Sequence, residues 1–124
     1  MTTLSKKFQL KAGQSLKLVN SPAGYEDFLA SEEIDVDNKS DAVLIFTNSL
    51  AEVEQVVPPA FKSVSADALV WVAYPKGSSG VKTDVNRDKL WDALKPTGWR
   101  PVRQIAMDPI WSALRFRPAE KVGK

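Results

Sequence analysis

One short segment of this sequence combines residue types that bind anions. It consists of two lysines, two glycines and two serines around one valine: Lys76, Gly77, Ser78, Ser79, Gly80, Val81 and Lys82. Glycines leave backbone amides accessible, serines supply hydroxyl donors and lysines supply positive charge, so the segment suits a phosphate or a carboxylate. Its spacing is not that of a P-loop. The alternative interpretation is a glycine turn whose lysines only keep the surface soluble.

The residue types that are missing restrict the chemistry further. The chain contains no cysteine and no histidine. Thiol nucleophiles, Ser-His-Asp triads, imidazole acid–base catalysis and zinc sites with Cys or His ligands are therefore excluded. Carboxylate, lysine, tyrosine and hydroxyl chemistry remain, as does binding without catalysis. This balance favours a binding protein over an enzyme.

Length and charge bound the architecture and the partners. The 124 residues predict a single domain with a lead-in at 1–14, an α/β core at 15–118 and a frayed tail at 119–124. Without a spanning apolar run, a signal peptide or cysteines, the chain is predicted to be cytoplasmic, with no membrane contact. Residues 1–75 hold 6 Lys and Arg against 10 Asp and Glu, whereas residues 76–124 hold 11 against 5. The basic half indicates an anionic partner or a merely segregated surface.

Two continuous apolar runs, 42–46 and 69–74, predict the core of the fold. Runs that lack polar alternation and end in turn-forming residues are typical of strands buried on both faces of a sheet. A first strand is predicted at 15–20. A brief alternating segment at 33–37 predicts a further strand near a sheet edge.

Helices are expected between these strands. Ser21 and Pro22 have the residue types of an N-cap and a first helical position, which predicts a helix from Pro22 to Ala30. Another helix is expected to follow the strand at 69–74, with Asp84 as its cap and a stop signal at 96–98.

The most regular helical pattern runs from 50 to 64. Ser49 and Glu52 form a capping box, in which the serine caps the helix and the glutamate reaches back. Pro58 and Pro59 lie inside this pattern and are expected to kink or split the helix, because proline removes a donor and clashes with the preceding turn.

The end of the chain predicts a hairpin. Residues 99–107 and 111–117 read as strands whose connection is too short for a helical crossover, so they should pair antiparallel. Arg115 and Arg117 flank Phe116, an alternation that puts both arginines on one face, and with Arg100 and Arg103 they would form a basic stripe. The whole order predicts a three-layer α/β fold whose mostly parallel sheet ends in an antiparallel hairpin.

In open sheets of this kind, ligands bind beyond the carboxyl ends of the strands. The segment from Lys76 to Lys82 should lie there together with the loop after the first strand. Asn20 and Tyr25 belong to that loop and are expected to assist anion binding.

The order of elements, with its last helix leading through Leu94-Lys95-Pro96-Thr97-Gly98-Trp99 into a hairpin, resembles the Rossmann-like fold of class I methyltransferases over residues 15–118. The resemblance implies S-adenosylmethionine in the loop after the first strand and an acid holding its ribose after the second. Asp37 or Asp35 stands where that acid would be. The loop at 20–25 departs from the family in having one glycine and a proline, and the fold reads as a shortened version.

Three segments resemble more closely a group of small bacterial proteins that share a domain of unknown function. They are Ser-Pro-Ala-Gly-Tyr at 21–25, Val-Ala-Tyr-Pro-Lys-Gly-Ser-Ser-Gly-Val-Lys-Thr-Asp-Val-Asn-Arg-Asp at 72–88 and Trp-Ser-Ala-Leu-Arg-Phe-Arg-Pro at 111–118. This resemblance supports the fold and implies no activity.

Three functions stay open on these residues. The leading prediction is a non-enzymatic, methyltransferase-like domain that binds a small anionic ligand or a protein partner. The alternatives are an S-adenosylmethionine-dependent methyltransferase with an atypical cofactor loop and an interaction module, or homodimer, that uses the basic hairpin. A net charge of +2 argues against nucleic acid as the partner.

Overall fold

Five strands and four α-helices form the part of the chain that this computed structural model describes, residues 4–10, 15–21, 23–32, 34–36, 42–64, 69–76, 84–107 and 110–118. The helices are α1 (Leu4–Lys7), α2 (Tyr25–Ser31), α3 (Leu50–Ser63) and α4 (Arg87–Leu94). The strands are β1 (Lys17–Val19), β2 (Ala42–Phe46), β3 (Leu69–Pro75), β4 (Trp99–Ala106) and β5 (Trp111–Pro118). A 3₁₀ turn, Lys95–Thr97, links α4 to β4.

The five strands form one sheet in the order β1-β2-β3-β5-β4. β1, β2 and β3 pair parallel, whereas β5 pairs antiparallel with both β3 and β4. Only β5 therefore runs against the others. The predicted fold class, a mostly parallel α/β sheet that ends in an antiparallel hairpin, is confirmed.

Successive side chains of the central strands point to opposite sides of the sheet, so the apolar strands make both faces apolar. Helices cover each of these faces. One apolar cluster joins Leu44, Phe46 and Trp71 of the sheet to Phe8 and to α2. The other cluster lies on the opposite face, where alternate residues of the same strands pack against α3 and α4. β2 and β3 are buried along their whole length, as their unbroken apolar runs predict.

The first strand and the first predicted helix are shorter than expected. β1 spans only Lys17–Val19, and Asn20 after it has a left-handed backbone with φ 58°. α2 begins at Tyr25 and not at Pro22, and Gly24, with φ 82°, takes the N-cap position in place of Ser21. Glycine adopts this left-handed conformation without the strain that a Cβ atom brings. Pro22 itself lies outside the described residues.

Of the alternating segment at 33–37, the structure describes residues 34–36, and these form one parallel bridge, between Leu16 and Val36. The Leu16 amide donates to the Asp35 carbonyl at 2.9 Å. This segment therefore lies beside the start of the first strand, on the side away from β2.

α3 is continuous from Leu50 to Ser63, so the expected split at Pro58 and Pro59 is wrong. Because proline has no amide hydrogen, Pro58 and Pro59 cannot donate hydrogen bonds to the carbonyls of Glu54 and Gln55, four residues earlier in the helix. Both of these residues are exposed, so water can satisfy their carbonyls while the opposite face, with Val53, Val57 and Phe61, stays in the core.

Candidate functional site

Asn20 closes the loop after β1 onto the neighbouring elements at the carboxyl edge of the sheet. Its amide nitrogen donates to the Phe46 carbonyl at 2.9 Å and to the Glu52 carboxylate at 2.6 Å. The side chain thus links the end of β1 to the end of β2 and to the first turn of α3. Because Glu52 accepts from Asn20, the reciprocal half of the predicted capping box is replaced by a tertiary contact.

The start of α3 is capped by two side chains of the protein itself. Ser49 Oγ accepts from the Glu52 amide at 3.2 Å, which confirms the predicted serine cap. Asp84 Oδ1 accepts from the Leu50 amide at 2.8 Å. Asp84 was expected to cap α4, and that prediction is wrong, because Asn86 Oδ1 caps α4 through the Lys89 amide at 2.9 Å. The carboxylate at the start of α3 also makes this end of the helix less attractive to an anion.

The predicted site residue Tyr25 belongs to the core beneath this edge. Its side chain is buried, and its ring centroid lies 4.7 Å from that of Phe46 and 5.2 Å from that of Phe28. Trp111, at the start of β5, is buried against Phe46 at 5.1 Å. The tryptophan next to the hairpin tip therefore packs into the core against the sheet.

Lys76 is the one residue of the predicted anion segment that the structure describes. It follows β3, is half-buried, and its amide donates to the Ile110 carbonyl at 2.7 Å. This bond fastens the end of β3 to the hairpin tip. The other predicted site residues lie outside the described residues and stay predictions: Gly77, Ser78, Ser79, Gly80, Lys82 and the ribose-binding Asp37.

A cleft that no sequence pattern predicted lies between α4 and the edge strand β4. It has a volume of about 430 Å³. Its walls are formed by one turn of the helix and five consecutive strand residues, together with one residue of β5: Arg87, Asp88, Trp91, Arg100, Pro101, Val102, Arg103, Gln104 and Leu114. Three arginines and one aspartate border this α4–β4 cleft, so its surroundings carry net positive charge. Arg87 and Asp88 belong to α4, whereas Arg100 and Arg103 belong to β4 and pair with Arg117 and Arg115 of β5.

A tyrosine at the end of β3 supports the wall of this cleft. Gln104 Nε2 donates to the Tyr74 hydroxyl at 2.8 Å, which holds the Gln104 amide in place. Burial raises the pKa of Tyr74, while the charge of Arg87 and the hydrogen bond from Gln104 lower it and Asp88 raises it. The phenol therefore stays neutral at ordinary pH and acts as a positioning group.

Trp91 separates the α4–β4 cleft from a smaller hollow of about 240 Å³, which Lys95, Gly98, Trp99 and Arg100 also line. The Lys95 ammonium lies 4.7 Å from the centroid of the Trp91 ring and 3.1 Å from the carboxylate of Asp92. The side chains of Lys95 and Asp92 are exposed at the surface. Arg87 and Trp91 lie four residues apart on one helix face. This spacing could have indicated the helical wall of the cleft. No pattern of neighbouring residues indicated that β4 forms the other wall.

Within the described ranges, no group of three or more Asp and Glu side chains is arranged to hold a metal ion. Among the helices of those same ranges, none has the length and apolar character to cross a membrane.

Comparison with known proteins supports the fold. No family model matches the chain, and no curated protein matches it. Among solved structures, it is similar to a protein in the NADB-Rossmann superfamily from Streptococcus agalactiae, at 10% identity and TM-score 0.52, over 95% of this chain and 68% of that one. It is also similar to the ribosomal protein L11 methylase of Lactobacillus delbrueckii subsp. bulgaricus, at 11% identity and TM-score 0.55, over 94% and 76%.

A third similar structure is the M1A22 tRNA methyltransferase TrmK of B. subtilis, at 8% identity and TM-score 0.52, over 93% of this chain and 64% of that one. At these identities the comparisons establish the fold alone. The described sheet and its neighbours agree on a Rossmann-like, methyltransferase-like architecture.

Proposed function

We propose that this chain is a ligand-binding domain on a methyltransferase-like fold, and that it takes a small anionic ligand in the α4–β4 cleft. The observation that carries the proposal is the net positive charge of the described residues that border the cleft, which are three arginines, Arg87, Arg100 and Arg103, and one aspartate, Asp88. Guanidinium groups bind phosphate and carboxylate oxygens through paired hydrogen bonds.

The walls also restrict the rest of the ligand. A volume of about 430 Å³ lies within the usual range for small-molecule sites. Trp91 offers apolar surface, and the amide of Gln104 is held by Tyr74 for a directed hydrogen bond. These groups fit a ligand with one anionic end and a planar or apolar body, such as a nucleoside phosphate.

This proposal keeps the predicted class of ligand and moves its site. The start of α3 carries its own capping carboxylate, whereas the cleft beside α4 concentrates arginines. The segment from Lys76 to Lys82 follows β3 and precedes α4 in the sequence, and it stays a prediction for additional ligand contacts. Binding here requires no nucleophile or general base.

A thermal-shift panel of pyrophosphate, AMP, ATP and citrate tests the proposal. A probe at 100 times its dissociation constant should add about 2.7 kcal/mol of stability, or roughly 10 °C for a chain of this length. Arg87→Gln should weaken binding about tenfold and halve that stabilisation, while Lys62→Gln on α3 removes the same charge outside the cleft. The proposal fails if no probe stabilises the protein, or if both variants respond alike.

A second candidate function is S-adenosylmethionine binding at the carboxyl edge. One observation favours it: the bridge between Leu16 and Val36 puts a second strand position beside β1, and Asp37 follows directly. An acid there would accept hydrogen bonds from the ribose hydroxyls of the cofactor. Calorimetric titration with S-adenosylmethionine should then detect binding that Asp37→Ala weakens and that Asp27→Ala, on α2, leaves unchanged. Absence of heat with the wild-type protein would contradict this candidate.

A further inference from the structure

Four arginines of the terminal hairpin stand in two directly opposed pairs. The register pairs Arg100 with Arg117 and Arg103 with Arg115. Residues that lie directly opposite in an antiparallel pair share one face of the sheet. We call these four residues the arginine ladder.

The face of the ladder follows from its neighbours on β5. Leu114 and Phe116 point into the cluster beneath α3 and α4, so Arg115 and Arg117 point to the other side. Gln9, which follows α1 on that side, accepts from Arg115 Nη1 at 2.5 Å and orients its guanidinium. The predicted basic stripe is therefore present, on the α1 face of the hairpin.

A β-bulge completes the ladder. Arg100 and Arg103 are three residues apart, so a regular strand would point them to opposite faces. The register shifts between Pro101 and Arg103, which inserts Val102 as an extra residue and brings both arginines to the same face. Bulges commonly re-aim side chains at functional edges of a sheet.

The ladder is unfavourable for the hairpin alone. Like charges directly opposite each other destabilise a sheet. In the part of the chain that the structure describes, no carboxylate lies within ion-pair distance of these arginines, and Arg115 Nε is buried without a hydrogen-bond partner. Burial lowers the pKa of Arg115, and the charges of Arg117 and Arg103 lower it further. An anion would relieve this repulsion.

The residue type and spacing indicate which anion. All four members are arginine, whose planar fork pairs bidentately with phosphate. The backbone positions of the arginines lie about 7 Å apart along β5 and about 5 Å apart across the pair, a repeat that suits a row of phosphates more than a single ion. The ladder contains no aromatic residue for stacking on bases, so the contacts would position a backbone without reading sequence.

We propose that the arginine ladder binds the phosphodiester backbone of a nucleic acid on the face of the hairpin opposite α4. Arg100 and Arg103 also border the α4–β4 cleft, so the test uses Arg115 and Arg117, which do not line it. The net charge of +2 argued against such a partner, but the ladder concentrates four positive charges on one half of one hairpin face. Non-specific binding depends on this local charge and not on the balance of the whole chain.

Fluorescence anisotropy with labelled 20-nucleotide single-stranded and duplex probes, titrated at several salt concentrations, tests the proposal. The wild-type protein should bind with an affinity that falls steeply with salt and does not depend on sequence. Arg115→Gln with Arg117→Gln should weaken binding at least tenfold and reduce the slope of log K against log salt by about 2. Lys62→Gln with Lys89→Gln, on the opposite side of the sheet, removes the same charge and should leave the slope unchanged.

The double variant Arg115→Lys with Arg117→Lys controls for a folding defect. Lysine keeps the positive charge and lacks only the planar guanidinium that pairs with phosphate through two hydrogen bonds. It should keep the salt slope of the wild type and bind less tightly. The proposal is overturned if no probe binds at low salt, if the two glutamine variants lose binding equally, or if poly-glutamate of matched length competes as well as the oligonucleotide. Small-anion stabilisation through Arg87 is measured separately, so either proposal can fail alone.

Discussion

Replacing Asp84 by alanine is expected to destabilise α3 and not the helix that follows Asp84 in the sequence. The carboxylate accepts a hydrogen bond at 2.8 Å from the amide of Leu50, which has no partner within its own helix. Asn86 does the equivalent for α4 through Lys89, at 2.9 Å. Asn86→Ala is therefore the matched control, two residues away.

The expected magnitude follows from helix capping. Loss of a capping side chain costs about 1 kcal/mol, within a range of roughly 0.5–2 kcal/mol. Asp84 is exposed, so water can replace part of the bond, and about 0.5–1 kcal/mol is expected. For 124 residues the entropy of unfolding is about 0.26 kcal/mol/K, which converts this loss into a Tm lowered by about 2–4 °C.

Hydrogen exchange measured by mass spectrometry separates the two helices. Asp84→Ala should speed exchange in peptides that cover the start of α3, and Asn86→Ala should do so at the start of α4. Faster exchange in α4 with an unchanged α3 in the Asp84 variant would refute the tertiary cap and restore the local one.

Three other perturbations have defined outcomes. Because burial raises the pKa of Tyr74, its contribution to stability is present below about pH 10 and is lost as pH rises through the folded-state pKa. Tyr74→Phe should therefore flatten the fall in the free energy of urea unfolding that begins near about pH 10. Gly24→Ala meets no atom within 4 Å but must adopt φ 82°, so it should cost about 1–2 kcal/mol in urea unfolding, and an equal stability would contradict the left-handed cap. Arg117→Gln removes the repulsion with Arg100 and should raise Tm, by up to about 4 °C for about 1 kcal/mol; a lowered Tm would speak against an unfavourable ladder.

The sequence alone determined the parts of this fold that depend on neighbouring residues. The unbroken apolar runs predicted β2 and β3 because a strand covered on both faces has no polar positions to alternate. The sequence also predicted the Ser49 cap, because the serine oxygen and the amide from which it accepts a hydrogen bond are only three residues apart. The alternation around Phe116 likewise predicted a common face for Arg115 and Arg117.

The candidate sites depended on contacts that local patterns do not encode. Asp84 precedes one helix and caps another, which lies 34 residues earlier in the chain. Arg100 and Arg103 share a face only because the hairpin register slips by one residue at Val102. The α4–β4 cleft exists because the 3₁₀ turn at Lys95–Thr97 returns the chain alongside α4, which brings Arg87 and Gln104 to facing walls.

The physical reason is the range of the interactions. Burial periodicity and helix caps act over two to four residues, so residue types alone specify them. Register, bulges and the choice between two competing caps are decided by which arrangement of the whole chain satisfies the most buried groups at once, and only the packed tertiary structure makes that comparison.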